Sequence, residues 1–402
     1  MAARRARTAF VATNSICQGV QVPILWPLIA AAGHEIEFAH TSFRWSNLAS
    51  HNASVSVVIV GIAPRDDNQK RLYSVDDQGR AIVRDVERIN TYLVAGREID
   101  IRPSKSSISG AAYMGLGNMP KDGGYLLMSV DEADDAVKAE PDIARYVFDF
   151  VCAQEFVKGI ARRCLWIDAA HAVTLPLIAE RLAGVRAMRL ASAAASTRAF
   201  ADRPHRFKQI QGRGKVSSIV VPKVTSETRP YLPVGVLSAQ SIVSDNAFAL
   251  YDAPLWNMAL IASRLHLVWI ATVCGKLESR YRYSNTLGWN TFPVPLLSDA
   301  NKADLTRCAE AILRARSGFS RDDRPALRRP RDTRRPAPSP RAERRNAGAH
   351  LYRTMFSARY GAPRNAVRVV SNDVRFIRRM RQARKTPVRY PPICDLLAIT
   401  ST

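Results

Sequence analysis

TAFVATNSICQGVQVPILWPLIAAAGHEIEFAH, residues 8–40, and SVSVVIVGI, residues 54–62, decide the fold class. Thr8 to Thr13 is short, apolar and β-prone, which predicts a buried strand. Asn14 and Ser15 make a turn. About Gln21 to Ala32 is an amphipathic helix, and it stops at Gly33, the residue that most readily adopts the left-handed backbone beyond a helix end. His34 to His40 alternates with period two and reads as a strand, and Ser54 to Ile62 reads as a strand buried more fully. The order strand, helix, strand, strand is α/β, and it resembles the closing part of a doubly wound sheet that ends in an antiparallel hairpin. Three strands and one helix cannot cover both faces of such a sheet, and the first strand leaves an open edge. The chain therefore reads as beginning in mid-domain.

Outward from this stretch, Tyr73 to Ala112 is polar and mixed. A Gly/Pro/Asp turn cluster, GNMPKDGGYLLMS at 117–129, precedes a short strand. Residues from about 130 to 300 form a second, mixed α+β block. It holds a helix near Asp134 to Ala139, a strand pair near Phe156 to Ile167, a helix near Pro176 to Ala194, a strand at Ser217 to Val224, and one apolar helix from Leu255 to Val273. The run NKADLTRCAEAILRAR, 301–316, forms a last helix.

After Ser320 the character changes. Residues 321–402 carry 21 Lys and Arg against 6 Asp and Glu, so this stretch supplies most of the net charge of +24. A Pro/Arg-rich stretch cannot bury a core and is expected to be disordered. It reads either as a nucleic-acid-binding tail or as the product of a frame change in GC-rich coding sequence. The body before it is moderately basic, which is compatible with a polyanion partner. The six cysteines form no CxxC pair, which argues against a zinc site, and their sparse placement suits a cytoplasmic, reducing setting with structural thiols at Cys152 and Cys164. No apolar run is both long and uninterrupted enough to span a bilayer, so no membrane partner is expected.

Several phrases together resemble one family. TNSICQGVQVPILWPL (13–28), AHTSFRWSN (39–47), VSVVIVG (55–61), GNMPKDGGYLLMS, EFVKGIARRCLWI (155–167), VVPKVTSETRPYLPVG (220–235) and VCGKLESRYRYSNTLGWNTFPVP (273–295) are similar to MmeI-like type IIG/IIL adenine-specific DNA methyltransferases of restriction–modification systems. The resemblance covers about residues 7–316. It implies the last strands of a Rossmann-like methyltransferase domain at 1–125, a target-recognition domain at 126–298, a short helical segment at 299–318, and the tail at 319–402. It also implies double-stranded DNA as partner and S-adenosyl-L-methionine as cofactor of the full family.

The family holds its sulfonium donor with a glycine-rich loop and grips the target amine with an Asn-Pro-Pro-aromatic turn, and both lie upstream of TNSICQG. Tyr113 to Gly117 (YMGLG) lacks the acidic strand end and helix that a cofactor loop needs. Tyr390-Pro391-Pro392 lacks a preceding Asn, Asp or Ser. This chain alone is expected not to bind the donor, and an upstream methyltransferase or nuclease polypeptide is the expected complement. Two other readings stay open: a stand-alone DNA-binding module without catalysis, and a truncated remnant.

For an enzyme that extrudes a base, an aromatic face must receive it. Family members place such a ring where Phe43 and Trp45 lie; ordinary packing at a hairpin is the plain alternative. For base reading the strongest candidates are Glu278 and Arg280. Glu accepts from cytosine and Arg donates to guanine, and in an extended segment the two point the same way. Their alternative is an exposed salt bridge. Asn246 is a further base-edge candidate. Phosphate or turn contacts are expected from Lys208, Arg213 and Lys215 in a basic loop, from Lys223, Glu227 and Arg229 around a turn with Thr225, Ser226 and Thr228, and from Lys276, Arg282, Tyr283 and Asn285 around the Glu278–Arg280 segment. The histidines read as structural or solvated.

Overall fold

The computed structural model describes residues 6–45, 55–76, 79–167 and 175–317. The Arg/Pro-rich tail, His171 and Tyr390-Pro391-Pro392 lie outside the described residues. Contacts divide the chain into two units: one takes residues up to Ala111, Thr225–Leu232 and everything from Ala259, and the other takes Ala112–Val224 and Pro233–Met258.

The first unit opens with β1 (Thr8–Thr13), α1 (Val22–Ala31), β2 (His34–Trp45), β3 (Val55–Pro64), β4 (Lys70–Val75) and β5 (Ala81–Val86). They build a five-stranded sheet in the order β1-β3-β2-β4-β5. The sequence predicts only three strands here. The two extra ones alternate weakly and carry charged residues, so polarity masks their period.

β3 pairs antiparallel with both β1 and β2, β2 runs parallel to β4, and β4 pairs antiparallel with β5. A correction concerns β1: it is not buried but solvent-exposed along almost its whole length, at one edge of the sheet. The helix α1 has Pro23 in its first turn and ends where Gly33 takes φ 79°. It buries Val22 and Trp26, whose indole Nε1 donates to Ile16 O at 2.6 Å. Ile24 and Leu28 on its other side are 68% and 69% exposed.

Two local features lock the sheet. Gly61 faces Phe38 across the β2/β3 pair, and a Cβ at Gly61 would sit 2.1 Å from the Phe38 ring. Lys70 is only 1% exposed, and its ammonium meets Glu35 at 2.8 Å and also Asp66. Burial opposes the Lys70 charge, but the two carboxylates outweigh it and hold its pKa above the ordinary value.

The second unit contains two sheets. One has the order β12-β10-β14-β6, built from β6 (Gly115–Leu116), β10 (Ser217–Pro222), β12 (Gly235–Ser238) and β14 (Ala247–Tyr251), with antiparallel pairs throughout. The other has the order β13-β8-β9-β7, built from β7 (Leu127–Met128), β8 (Val147–Val151), β9 (Arg163–Leu165) and β13 (Ser241–Val243). The short strand β11 (Val224–Thr225) ends this stretch of chain.

Its helices are α2 (Val130–Ala139), α3 (Ala153–Lys158), α4 (Pro176–Leu190) and α5 (Ala195–Arg198). A reciprocal Ser129/Glu132 capping box starts α2. The first half of the expected strand pair at Phe156 to Ile167 is instead α3, closed by Gly159 at φ 65°. A short apolar run does not separate strand from helix by period alone. Phe148, Phe150, Trp166, Ile178, Leu182 and Phe207 form the core of this unit.

The division between the units falls within α6 (Trp256–Ala262), at Met258/Ala259, and α6 and α7 (Arg264–Val273) replace the single apolar helix expected from sequence. They are bent by 61° at Ser263, whose hydroxyl donates to Leu260 O and accepts from His266 N. Among the described residues no single helix is long and apolar enough to cross a membrane. A hairpin of β15 (Lys276–Leu277) and β16 (Arg280–Arg282) follows, then a π-turn at Asn285–Trp289 and α8 (Asp299–Ser317).

Candidate nucleic-acid interface

In the first unit the structure brings two of the sequence candidates to one place. The strand expected to end at His40 continues to Trp45, so Phe43 and Trp45 lie on β2 itself, with ring centroids 6.4 Å apart. Phe43 is half-buried against His40, at 4.6 Å, and Trp45 is exposed. In the register Trp45 faces Val55, Arg44 faces Ser56 and Phe43 faces Val57. Ser56 Oγ donates to the backbone carbonyl of Glu278 at 3.3 Å, so the tip of the β15/β16 hairpin is tied to this end of the sheet.

At that tip, Leu277 pairs with Arg280, leaving Glu278 and Ser279 as a two-residue loop. Glu278 takes φ 58°, a left-handed conformation that ordinarily favours glycine. The segment is therefore turned and not extended, so strand alternation does not put Glu278 and Arg280 on one side. Its geometry still brings the two side chains together: Arg280 Nη2 donates to Glu278 Oε2 at 3.0 Å, with the pair 44% and 67% exposed. The salt bridge is present, and each partner keeps donors or acceptors directed to solvent.

The hairpin stands on a rigid base. Tyr283, expected to face DNA, is instead in the core at 3% exposure, because its hydroxyl and His266 Nε2 hydrogen bond at 2.8 Å. His266 packs edge-on against Trp289 and Phe292, and burial pushes its pKa down to about 3, so it is neutral. Arg282 is exposed and its backbone N–H donates to Gly275 O. Lys276 is half-buried; burial lowers its pKa while Glu227 draws it the other way. Arg229 is exposed beside the Ser226–Thr228 hydroxyl pair, at 2.8 Å, and Thr225 is buried. Asn285 Oδ1 accepts from Thr286 N at the start of the π-turn.

The second unit gathers the remaining candidates around Asn118, a fully buried residue that sequence reading does not single out. Its Oδ1 accepts from Gln211 N and Gly212 N, at 2.7 and 3.2 Å, and its backbone O accepts from Asp245 N at 3.0 Å. One residue, through its side chain and its backbone carbonyl, thus joins the basic loop to the turn that carries Asn246.

Asn246 is exposed there, and Lys223 is anchored to the same turn, its Nζ donating to Asp245 O at 3.0 Å. Arg213 and Lys215 are exposed; Arg213 covers the Phe148 ring at 5.0 Å, and the Asp252 carboxylate accepts from the backbone of Lys215, Val216 and Ser217. Lys208 Nζ is occupied by Ser196 and Thr197 hydroxyls, at 3.2 and 2.8 Å. So the structure presents Arg213, Lys215 and Asn246 to solvent, and it uses Lys208 and Lys223 largely to hold the chain.

Residues 95–296 match the family described as MmeI, target recognition domain, and residues 1–74 match MmeI, DNA-methyltransferase domain. The chain belongs to the MmeI family. It is 38% identical over 311 residues to DNA methyltransferase A of Bacillus subtilis (strain 168), covering 77% of this chain and 34% of that protein. It superposes with a TM-score of 0.76 and 32% identity on the type IIL restriction-modification enzyme MmeI solved in complex with DNA, covering 90% of this chain and 48% of that one. The chain thus spans about a third to a half of the length of these relatives.

An MmeI-family methyltransferase implies S-adenosyl-L-methionine in the full protein, and the one glycine-rich stretch the sequence offers for it does not fit that group. The glycine pair in YMGLG is not a cradle: Gly115 and Leu116 form β6, and Gly117 N donates to Ala247 O. A Cβ at Gly117 would lie 2.1 Å from Ser244 O, so backbone already fills the space a ligand would need. Among the described residues no group of three or more His, Cys, Asp or Glu side chains is placed to hold a metal ion.

Proposed function

We propose that this chain supplies sequence-specific recognition of duplex DNA to an adenine-specific methyltransferase of a restriction–modification system. The observation that carries the reading is the Ser56–Glu278 tie at 3.3 Å, which sets the aromatic pair Phe43/Trp45 and the Glu278/Arg280 tip at one end of the first unit. An aromatic face to receive an extruded base and a charged tip to read an adjacent pair are the two chemistries such an enzyme needs close together. Phe43, half-buried and held by His40, is the better stacking platform, with Trp45 at its rim. Asn246 reads a base edge, and Arg213, Lys215, Lys276, Arg229 and Arg282 contact phosphates. The four parts of the chain are a methyltransferase segment, a recognition domain, a helical segment and a tail, with boundaries near residues 125, 298 and 318.

Methyl transfer then requires an N-terminal polypeptide that carries the donor pocket and the Asn-Pro-Pro-aromatic turn. The open β1 edge and the exposed Ile24 and Leu28 of α1 support a partner of that kind. The core enclosed within the second unit favours a second reading, in which DNA is bound with no partner at all.

The test has two arms. The chain mixed with labelled S-adenosylmethionine and duplex DNA should transfer no methyl group, and robust transfer would refute the division of labour. In a selection from random duplexes, Glu278→Lys with Arg280→Asp should change the preferred base pair at one position and leave the others; an unchanged preference removes the pair from base reading.

A further inference from the structure

The helix α4 buries Ile178, Leu182, Val185 and Arg189 along one face, so a guanidinium occupies the last position of an apolar stripe. Arg189 is 0% exposed. A guanidinium carries five N–H donors, and the Arg189 donors all reach main-chain carbonyls. Nε donates to Lys121 O at 3.0 Å, Nη1 to Phe200 O and Arg203 O at 3.3 and 2.8 Å, and Nη2 to Pro120 O and Arg206 O at 3.0 and 2.8 Å. Three of those five carbonyls belong to residues whose own side chains are cationic and exposed: Lys121, Arg203 and Arg206. Among the described residues none of these three makes an ion pair.

Further interactions fix the arrangement. Lys208 N donates to Pro120 O, and Met119 and Gln209 exchange backbone hydrogen bonds. Lys121 is held at φ 48° in the turn, and Phe200 lies between Arg189 and Arg203 at 5.1 and 5.8 Å from its ring centre. The neighbouring carboxylates are Asp122, which accepts from Leu126 N at 2.6 Å, and the exposed Asp202. They leave a cationic excess. Its field reaches His205, whose pKa is lowered first by burial and then by Arg206, Arg189 and Arg203.

We propose that Lys121, Arg203 and Arg206 form a phosphate-backbone clamp of the recognition domain, preset by the buried Arg189. This rests on the duplex-DNA reading above and adds to it a surface that holds DNA without reading its sequence. Arg189 touches no DNA and is a positioning residue. It fixes the carbonyls, and hence the Cα positions, from which the three side chains reach out. Rigid spacing means little ordering is left to do when a phosphate arrives.

The experiment measures the dissociation constant of the full chain for a mixed-sequence duplex over a range of salt concentrations. Wild type is compared with Lys121→Ala/Arg203→Ala/Arg206→Ala, and with the control Lys138→Ala/Arg145→Ala/Arg162→Ala, which removes three ion-paired cations and the same net charge. The clamp triple should flatten the log–log salt dependence by about 0.9 for each phosphate it no longer neutralises, and it should weaken binding at least about tenfold, equally for every sequence. The control should keep the wild-type slope.

An unchanged slope in the clamp triple, or an equal loss of affinity in the control, overturns the clamp alone. Wild-type chain that binds no duplex overturns the duplex reading and the clamp with it. Arg189→Lys keeps the charge and forfeits at least two of the carbonyl bonds. Its slope should move toward that of the clamp triple, and a wild-type slope overturns the positioning role.

Discussion

At the scale of single residues, Arg189 and Gly61 illustrate opposite uses of space. Arg189 donates to five carbonyls. Those of Pro120, Phe200 and Arg203 also accept from the backbone of Lys208, Arg203 and Arg206, whereas those of Lys121 and Arg206 have no backbone donor among the described residues, so a methionine there would leave these two unpaired, at a cost of about 1–3 kcal/mol for each. Gly61 instead matters for what it lacks. Alanine at 61 would overlap the Phe38 ring and force it from its place in the β2/β3 register. We expect Gly61→Ala to lower stability by about 1–3 kcal/mol in urea unfolding, and Phe38→Leu to recover part of it in a double-mutant cycle. Additive effects of the two changes would show that the ring is not the obstacle. Neither role is legible in the sequence. An arginine in a helical stripe reads as a solvated edge, and a glycine inside an apolar strand carries no signal of which ring lies across from it.

Elements are legible where their period is clean. Helices α1 and α4 and strands β2, β3 and β10 lie close to where apolar spacing puts them. The strands β4 and β5 escape such a reading because pairing to β2 and to each other, and not an apolar face, makes them strands. The α6/α7 break escapes it because Ser263 interrupts hydrogen bonding without interrupting hydropathy. The candidate site is legible as residue types, but not as geometry: chemistry alone finds Glu278 and Arg280, whereas the tie through Ser56 joins positions 222 residues apart.

α7 also yields a pH prediction. His266 is neutral in the fold with a pKa near 3, against an ordinary value of 6.5. The unfolded chain binds the extra proton, so stability is full above about pH 6.5 and declines as pH falls toward 3. His205 acts in the same sense, and Asp66, lowered to about 2 chiefly by its hydrogen bond to Lys70, acts only below about pH 4. The informative measurement is therefore a comparison. Between pH 6.5 and 4.5 the urea midpoint of wild type should fall faster than that of His266→Gln, which keeps a polar partner for Tyr283 and does not titrate. Parallel curves would mean that the buried imidazole is protonated without penalty.

For the whole molecule, the exposed apolar surface of β1 and α1 dominates the expected solution behaviour. Phe10, Val11, Ile24 and Leu28 are all exposed, on a strand that has no neighbour on its outer side among the described residues and on the helix that follows it. The purified chain should self-associate as concentration rises in light scattering, and Val11→Lys with Ile24→Glu and Leu28→Glu should suppress this while leaving DNA binding intact. A monodisperse wild type at high concentration would remove the argument for a partner at that edge. The charge balance acts the other way. A net charge of +24 opposes aggregation at low salt, so the association should strengthen as salt is added, while the proposed DNA binding should weaken.

The contrast between the hairpin tip and its root has an evolutionary corollary. Glu278 and Arg280 are solvent-exposed, so exchanging them opens no void, the one restriction being that residue 278 must tolerate φ 58°, whereas Tyr283, three positions beyond Arg280, is committed to His266. If the tip reads a base pair as proposed, new sequence preferences can arise by drift there while the scaffold beneath stays frozen.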